Sequence, residues 1–302
     1  MGGKAGILMH VLLTGASGTV GRFILKRLLD DGCTVTLLGR RPVDGVAAAF
    51  RTYDLVDPDP QLPQADALVH CALVHEPGKF RGGEGGDPER FRKLNVDGTR
   101  RLFEAAAKMG RRTVVFLSSR AVYGDHRQGE KLTETDAPAP DTLYGDVKLA
   151  GERALKVLCG QSMRGIVLRA TGVYGPGSGS ADHKWSGLFR DFAAGIPIAP
   201  RRGTEVHGDD LAAAVALVLE ERRENEEPFQ IYNVSDLLLD RQDLLALYAA
   251  EAGLNLEVPA ASDQAPGEMT TDRLRALGWS PGGTEKLKVF LRSIAGRGAA
   301  GT

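Results

Sequence analysis

The chain has 302 residues, enough to bury a full core as one large α/β unit or as a main unit with a smaller one appended. Its 38 basic and 39 acidic side chains give a formal net charge of −1, so the basic excess of a nucleic-acid binder is missing and nucleic acid is not an expected partner. No run approaches the roughly 20 apolar residues that span a bilayer, so no membrane association is expected.

The opening MGGKAGILMH lacks a secretory apolar region and cleavage site, and Gly6 stands where a myristoylation motif needs Ser or Thr. A cytoplasmic protein is expected, with Met9 as an alternative start. Strand-length apolar runs follow at 10–14 (HVLLT), 33–38 (CTVTLL), more weakly at 49–53 (AFRTY), then at 67–72 (ALVHCA), 113–118 (TVVFLS) and 165–170 (GIVLRA). They are continuous rather than alternating, which predicts strands covered by helices on both faces. Between them, 21–32 and 88–110 carry apolar residues at three- and four-residue spacings, with Gly32 and Gly110 at plausible C-termini. The expected fold is α/β, a doubly wound parallel sheet of Rossmann type. The Gly-rich loop 75–90 follows the fourth strand and reads as a mobile cover over the ligand crevice.

After residue 170 the pattern loosens through Gly- and Pro-rich loops at 172–185, with helices predicted at 209–223 and 241–253 and a strand at 229–234. We read 1–170 as a dinucleotide-binding domain and 171–302 mainly as a small C-terminal substrate lobe, with 205–240 returning to the first unit. Cys33, Cys71 and Cys159 are far apart and odd in number, and read as buried thiols. His70, His75 and His207 lack paired carboxylate or cysteine spacing, so no metal site is expected, and His207 reads as structural.

The most informative stretch is VLLTGASGTVGR (11–22). A strand hands over to a helix through Gly15, Gly18 and Gly21. Gly15 permits the tight turn, Gly18 admits a pyrophosphate to the backbone, and Gly21 lets the helix pack on the strand. Ser17, Thr19 and Val20 belong to the same loop, and the helix start favours an anion. The second strand ends LLGRRP, with no acid to bond a ribose 2′-hydroxyl. Arg40 and Arg41 are placed for a 2′-phosphate, so NADP is favoured over NAD; the alternatives are that they solvate a loop, or that the more distant Asp44 fills the acidic role.

At SSRAVYG (118–124) and LYGDVK (143–148) the chain resembles the extended short-chain dehydrogenase/reductase superfamily, of the NAD-dependent epimerase/dehydratase type. The resemblance implies a catalytic triad of Ser119, Tyr144 and Lys148. Residues four apart share a helix face, so the Lys148 ammonium can lie near the Tyr144 phenol and favour the phenolate, whose free pKa is about 10. Further segments match the family. YDLVD (53–57) implies that Asp54 and Leu55 line the adenine, ALVHCAL (67–73) that Cys71 and Ala72 flank the cofactor, and NVDGTRRLFEAA (95–106) that Asn95 supports the site. LRATGVYGPG (168–177), EVHGDDLA (205–212), IYNVSD (231–236) and LGWSP (277–281) extend the likeness over nearly the whole chain. Segments 88–109 and 144–159 are those that pair across a two-fold axis in relatives, which implies a homodimer.

The departures narrow the reaction. Nucleotide-sugar enzymes of the family carry Asn in the segment corresponding to Thr171-Gly172, and the sugar dehydratases carry Thr-Asp-Glu where this chain reads Ser119-Arg120-Ala121. A dehydratase is therefore excluded and a substrate smaller than a nucleotide sugar favoured. Arg120, Thr171, His183 and Arg201 are candidate substrate contacts, with Lys184, Trp185, Arg190 and Arg202 nearby in sequence; the cations either capture a carboxylate or phosphate or solvate the surface. The expected activity is NAD(P)-dependent interconversion of a secondary alcohol and a carbonyl on a small sugar-like or sugar-acid substrate, with an epimerase that retains its cofactor as the alternative.

Overall fold

The computed structural model describes residues 9–76, 83–110, 112–160, 162–176, 183–221 and 227–298. The main sheet forms from β1 (His10–Thr14), β2 (Thr34–Gly39), β3 (Ala49–Thr52), β4 (Ala67–His70), β5 (Arg112–Ser119), β7 (Met163–Ala170) and β10 (Phe229–Val234), with the two-residue β6 (Lys131–Leu132) outside it. Its order is β10-β7-β5-β4-β1-β2-β3, and every pairing is parallel. The unbroken apolar runs have a direct cause in this geometry. Val11, Leu13, Val35, Leu37 and Val69 point to one core, shared with α1 (Thr19–Asp30) and α5 (Gly208–Glu220). Leu12, Leu38, Leu68, Val114 and Phe116 point to the other, shared with α2 (Pro88–Lys108) and α3 (Leu143–Leu158). β1, β2, β4, β5 and β7 are thus buried on both faces, as a doubly wound sheet requires, while the edge strand β3 stays largely exposed.

The strand order reverses between β1 and β4, and ligands of such sheets bind in the crevice outside that switch point. β4 ends at His70, two residues before its apolar run does, because the N–H groups of Cys71 and Ala72 turn out of the ladder to bond Thr14 Oγ1. The three cysteines are free and only partly buried, a correction to the expectation of full burial.

The later chain divides between layers. α5 packs on the α1 side of the sheet and β10 forms its edge, whereas β8 (Gly172–Tyr174), β9 (Arg202–His207) and β11 (Leu237–Asp240) make a separate three-stranded sheet. Next to it, α4 (Ser186–Ala193), α6 (Arg241–Ala252) and α8 (Gly283–Gly298) enclose a core of Tyr174, Trp185, Phe189, Phe192, Leu245 and Phe290. β12 (Glu268–Met269) pairs with β6, and α7 (Asp272–Ala276) follows it. Of the loops singled out in the sequence, 77–82 and 177–182 lie outside the described residues. No described helix is long and apolar enough to cross a membrane.

Candidate active site

At the switch point the three glycines meet different constraints. Gly15 has φ 73°, and a Cβ there would stand 2.7 Å from the Ala72 nitrogen, so both its conformation and its contact with the end of β4 demand glycine. A Cβ on Gly21 would lie 2.1 Å from the Gly15 carbonyl oxygen. On Gly18 it would meet only that same oxygen, at 3.3 Å. Gly18 is the N-cap of α1 and supplies no side-chain cap, so the helix start keeps N–H groups to offer an anion. Ser17, Gly18 and Thr19 are exposed at this opening, and Val20 is half-buried beside them. Gly21→Ala is therefore expected to cost roughly 1–3 kcal/mol of stability by overpacking. Gly18→Ala should keep a near-native melting temperature while weakening cofactor binding, and parallel melting and binding titrations separate the two.

Behind the loop runs a buried polar chain. Thr14 Oγ1 accepts from the Cys71 and Ala72 N–H groups, both at 3.2 Å, so its own proton goes to His70 Nδ1 at 2.7 Å. His70 must then carry its hydrogen on Nε2, from which it donates to Thr99 Oγ1 at 3.0 Å. Burial, with the Lys148 cation adding to it, pulls the ring down to about 3. Since the unfolded ring titrates near 6.5, the unfolded chain takes up a proton between those values that the native chain refuses. His70 thus contributes stability in full above pH 6.5 and loses it as pH falls toward 3. In urea unfolding between pH 6 and 4, His70→Gln should flatten the acid loss by up to about 1.4 kcal/mol per pH unit.

At the end of β2, Arg40 and Arg41 are exposed, and Arg40 Nε lies 4.0 Å from the Asp54 carboxylate. Asp54 opens a loop that α2 holds in place. Arg101 donates to the carbonyls of Leu55 and Asp57, each at 2.8 Å, and a Cβ on Gly98 would stand 2.4 Å from the Leu55 oxygen. From the same helix Asn95 clamps the chain after β4, with Oδ1 accepting from Val74 N at 2.7 Å and Nδ2 donating to Val74 O at 2.9 Å.

Ser119 closes β5, and its Oγ accepts from the Ala121 N–H at 3.1 Å to start a one-turn 3-10 helix, Arg120–Tyr123. Thr142 caps α3 by accepting from Gly145 N at 3.1 Å, which puts Tyr144 in the first turn and Lys148 one turn on. A Cβ on Gly145 would stand 2.4 Å from the Ala121 oxygen. The residue after Tyr144 is thus small enough for α3 to seat against the turn that follows Ser119. Lys148 is buried; its Nζ donates to the Leu117 carbonyl at 2.7 Å and lies 5.8 Å from the centre of the Tyr144 ring. Burial lowers it to about 8, while Cys71 and Glu152 work in the other direction, so the ammonium remains the major form at neutral pH.

Glu152, one further turn along α3, forms a bidentate pair with Arg169 of β7, at 3.0 and 2.7 Å, with both side chains buried. Ser118 Oγ donates to Glu152 Oε1 at 2.5 Å, and Arg169 donates to the Tyr123 hydroxyl at 2.9 Å. One network therefore links β5, α3, β7 and the turn after Ser119. Sequence reasoning passed it over, although Glu152 stands four residues from Lys148 and Arg169 is a charge inside an apolar strand.

The candidate substrate contacts separate. Arg120 is buried and donates to the Gly267 carbonyl at 3.0 Å and to Asp125 at 2.6 Å, which ties the turn to the β12 segment. Thr171 Oγ1 is buried and donates to the Thr204 carbonyl at 2.6 Å. His183 accepts from Trp185 N at 3.2 Å and packs edge-on against Phe290, 5.2 Å between centroids. These three hold the protein together in the structure described; Arg201 is exposed. His207 is the N-cap of α5, accepting from Asp209 N at 3.1 Å, a structural role. Among the described residues no cluster of three metal-ligating side chains occurs.

A family model described as NAD dependent epimerase/dehydratase family matches residues 11–235. The chain belongs to this family. Among its relatives is a dTDP-6-deoxy-L-talose 4-dehydrogenase (NAD(P)(+)) of Kitasatospora kifunensis, 32% identical over 56% of this chain and 54% of its own length. This match therefore spans about half of that curated protein. A 3-diazoavenalumate denitrifying reductase of Streptomyces sp is 31% identical over 70% of this chain and 72% of its own. Among solved structures, a Thermus thermophilus UDP-glucose 4-epimerase in complex with NAD superposes with TM-score 0.75 at 27% identity, covering 95% of this chain and 99% of the other. The relatives thus include an NAD(P)(+) dehydrogenase, a reductase and an NAD-bound epimerase. The residues present fit such a dinucleotide: the opening at Gly18 admits a close backbone approach, and Cys71 and Ala72 face the Gly15 turn from β4.

Proposed function

We propose that the protein is an NAD(P)-dependent oxidoreductase that interconverts a secondary alcohol and a carbonyl on a small sugar-like or sugar-acid substrate. The observation that carries the reading is the α3 corner, where Lys148 lies beneath the Tyr144 ring and Gly145 seats the helix on the turn after Ser119. Tyr144 gives or takes the proton of the substrate oxygen, and the buried Lys148 cation stabilises its phenolate. Ser119 holds the same oxygen by a hydrogen bond. The nicotinamide, when bound, supplies or accepts the hydride.

NADP is the proposed cofactor, because two exposed arginines and no acid stand at the end of β2. Replacing Arg40 and Arg41 together with Ala should weaken NADP binding about tenfold or more and NAD binding far less, given that a charged hydrogen bond contributes about 1.5–3 kcal/mol. Equal losses for the two cofactors would remove the 2′-phosphate role. A small substrate is supported at Gly172, in the segment where nucleotide-sugar enzymes carry Asn. There a Cβ would run into Lys184 Nζ and the Glu205 carboxylate, so the paired charges fill the side-chain space. The likeness to an NAD-bound epimerase keeps a second reading: an epimerase would yield tightly held cofactor on denaturation and turn over without added cofactor. The proposal extends to a cytoplasmic homodimer paired through α2 and α3, which light scattering reads directly.

A further inference from the structure

Beside the small sheet, α4, β9, β11 and the start of α6 border a half-open cavity of about 150 Å³. It lies off the end of the sheet that carries Ser119. Ser119 is in register with Ala170 of β7, and two residues on, Gly172 is covered by the Lys184–Glu205 pair that lines the cavity. Its apolar wall is Trp185, Leu188, Leu239 and Leu244. The sheltered part of this cavity matches one benzene-sized ring.

The charges around it do not balance. Lys184 is paired with Glu205. Asp240 is buried and saturated, accepting from the N–H groups of Gln242 and Ser262, each at 2.9 Å, with Arg202 at 3.3 Å. That leaves Arg201 and Arg241, both lining the cavity and neither with an acidic partner among the described residues. The Arg241 N–H donates to the Arg201 carbonyl at 2.9 Å, so the two residues are fixed side by side. One guanidinium N–H of Arg241 bonds the Ala199 carbonyl at 2.8 Å. Burial and the neighbouring Arg201 both disfavour the Arg241 charge. Two arginines held backbone to backbone at the edge of one cavity, with no acid paired to either among the described residues, offer planar donors that suit a carboxylate.

We propose that this cavity receives the carboxylate-bearing ring of the substrate, with the carboxylate held by Arg201 and Arg241 and the ring against Trp185. The assignment rests on the oxidoreductase reading and names its substrate class, a six-membered-ring sugar acid; benzoate serves as a probe for the ring and carboxylate alone. The test is calorimetric titration of the NADP-loaded protein with D-glucuronate, D-glucose and benzoate, alongside Arg201→Ala, Arg241→Ala and, as a control, Arg100→Ala on the exposed face of α2. The expected result is binding of at least one carboxylate, no comparable binding of neutral glucose, and a loss of about tenfold or more for each cavity variant with Arg100→Ala unchanged. The proposal is overturned if glucose and glucuronate bind equally, if neither carboxylate binds at millimolar concentration, or if the cavity variants bind as well as the parent. Nicotinamide absorbance is followed in the same samples. Arginine-dependent binding without any redox change leaves the site standing and removes the oxidoreductase reading alone.

Discussion

Tyr144→Phe is expected to lower turnover by about 10²–10⁴-fold, the range a positioned proton donor contributes, while cofactor affinity stays within a few-fold of the parent. The change removes one hydroxyl from a half-buried ring at the start of α3, and the Lys148–Leu117 bond and the Thr142 cap do not depend on it. Folding should therefore be preserved, so a loss of rate reports chemistry. Lys148→Met removes the cation and should depress the rate as well. A Tyr144→Phe protein with full activity would remove Tyr144 from the mechanism.

The largest effect on stability is expected at the buried pair behind that corner. In Glu152→Ala the Arg169 guanidinium, 2% exposed, would lose both of its short contacts to a carboxylate, and Ser118 its acceptor. Breaking one half of a buried ion pair costs about 3–5 kcal/mol, because the remaining charge has neither water nor partner. Arg169→Met combined with Glu152→Met should recover much of that loss, since desolvating two charges offsets most of their attraction. Urea unfolding of the three proteins reads the comparison. A Glu152→Ala variant within about 1 kcal/mol of the parent would mean that water or another acceptor compensates the Arg169 charge.

The sheet, its covering helices and the glycine loop were legible in the sequence because their signals are local. Val11, Leu12 and Leu13 declare a strand buried on both faces, and the apolar spacing of 88–108 declares a helix. Gly21 sits where a Cβ would strike the backbone of Gly15, so its meaning is steric and close in sequence, and Gly15 declares itself by the turn it makes although its steric limit is Ala72 across the sheet. What escaped depends on contacts made across the fold. Arg120 beside Ser119 reads as a substrate contact, yet its partner is the carbonyl of Gly267, 147 residues away. Thr171 and His183 are likewise held by Thr204 and Phe290, from a strand and a helix whose patterns the sequence reading did not pick out. β6 and β12 are too short to carry periodicity, whereas α8 does carry it in Leu287, Phe290 and Leu291 and was open to recognition. Arg241 carries no local signal, since a charge at the first residue of a helix is ordinary, and only the fold places it beside Arg201.

The central claim is net hydride transfer through an exchangeable nicotinamide cofactor. Its most direct test is the absorbance of reduced nicotinamide during turnover of keto-sugars, keto-acids and sugar acids by the purified protein, with NADPH, NADH and their oxidised forms added in turn. Consumption or formation of one reduced cofactor for each product molecule is expected, faster with NADP(H) than with NAD(H). Product formed with no change in the added cofactor, and nicotinamide released only on denaturation, would contradict it and make the protein an epimerase.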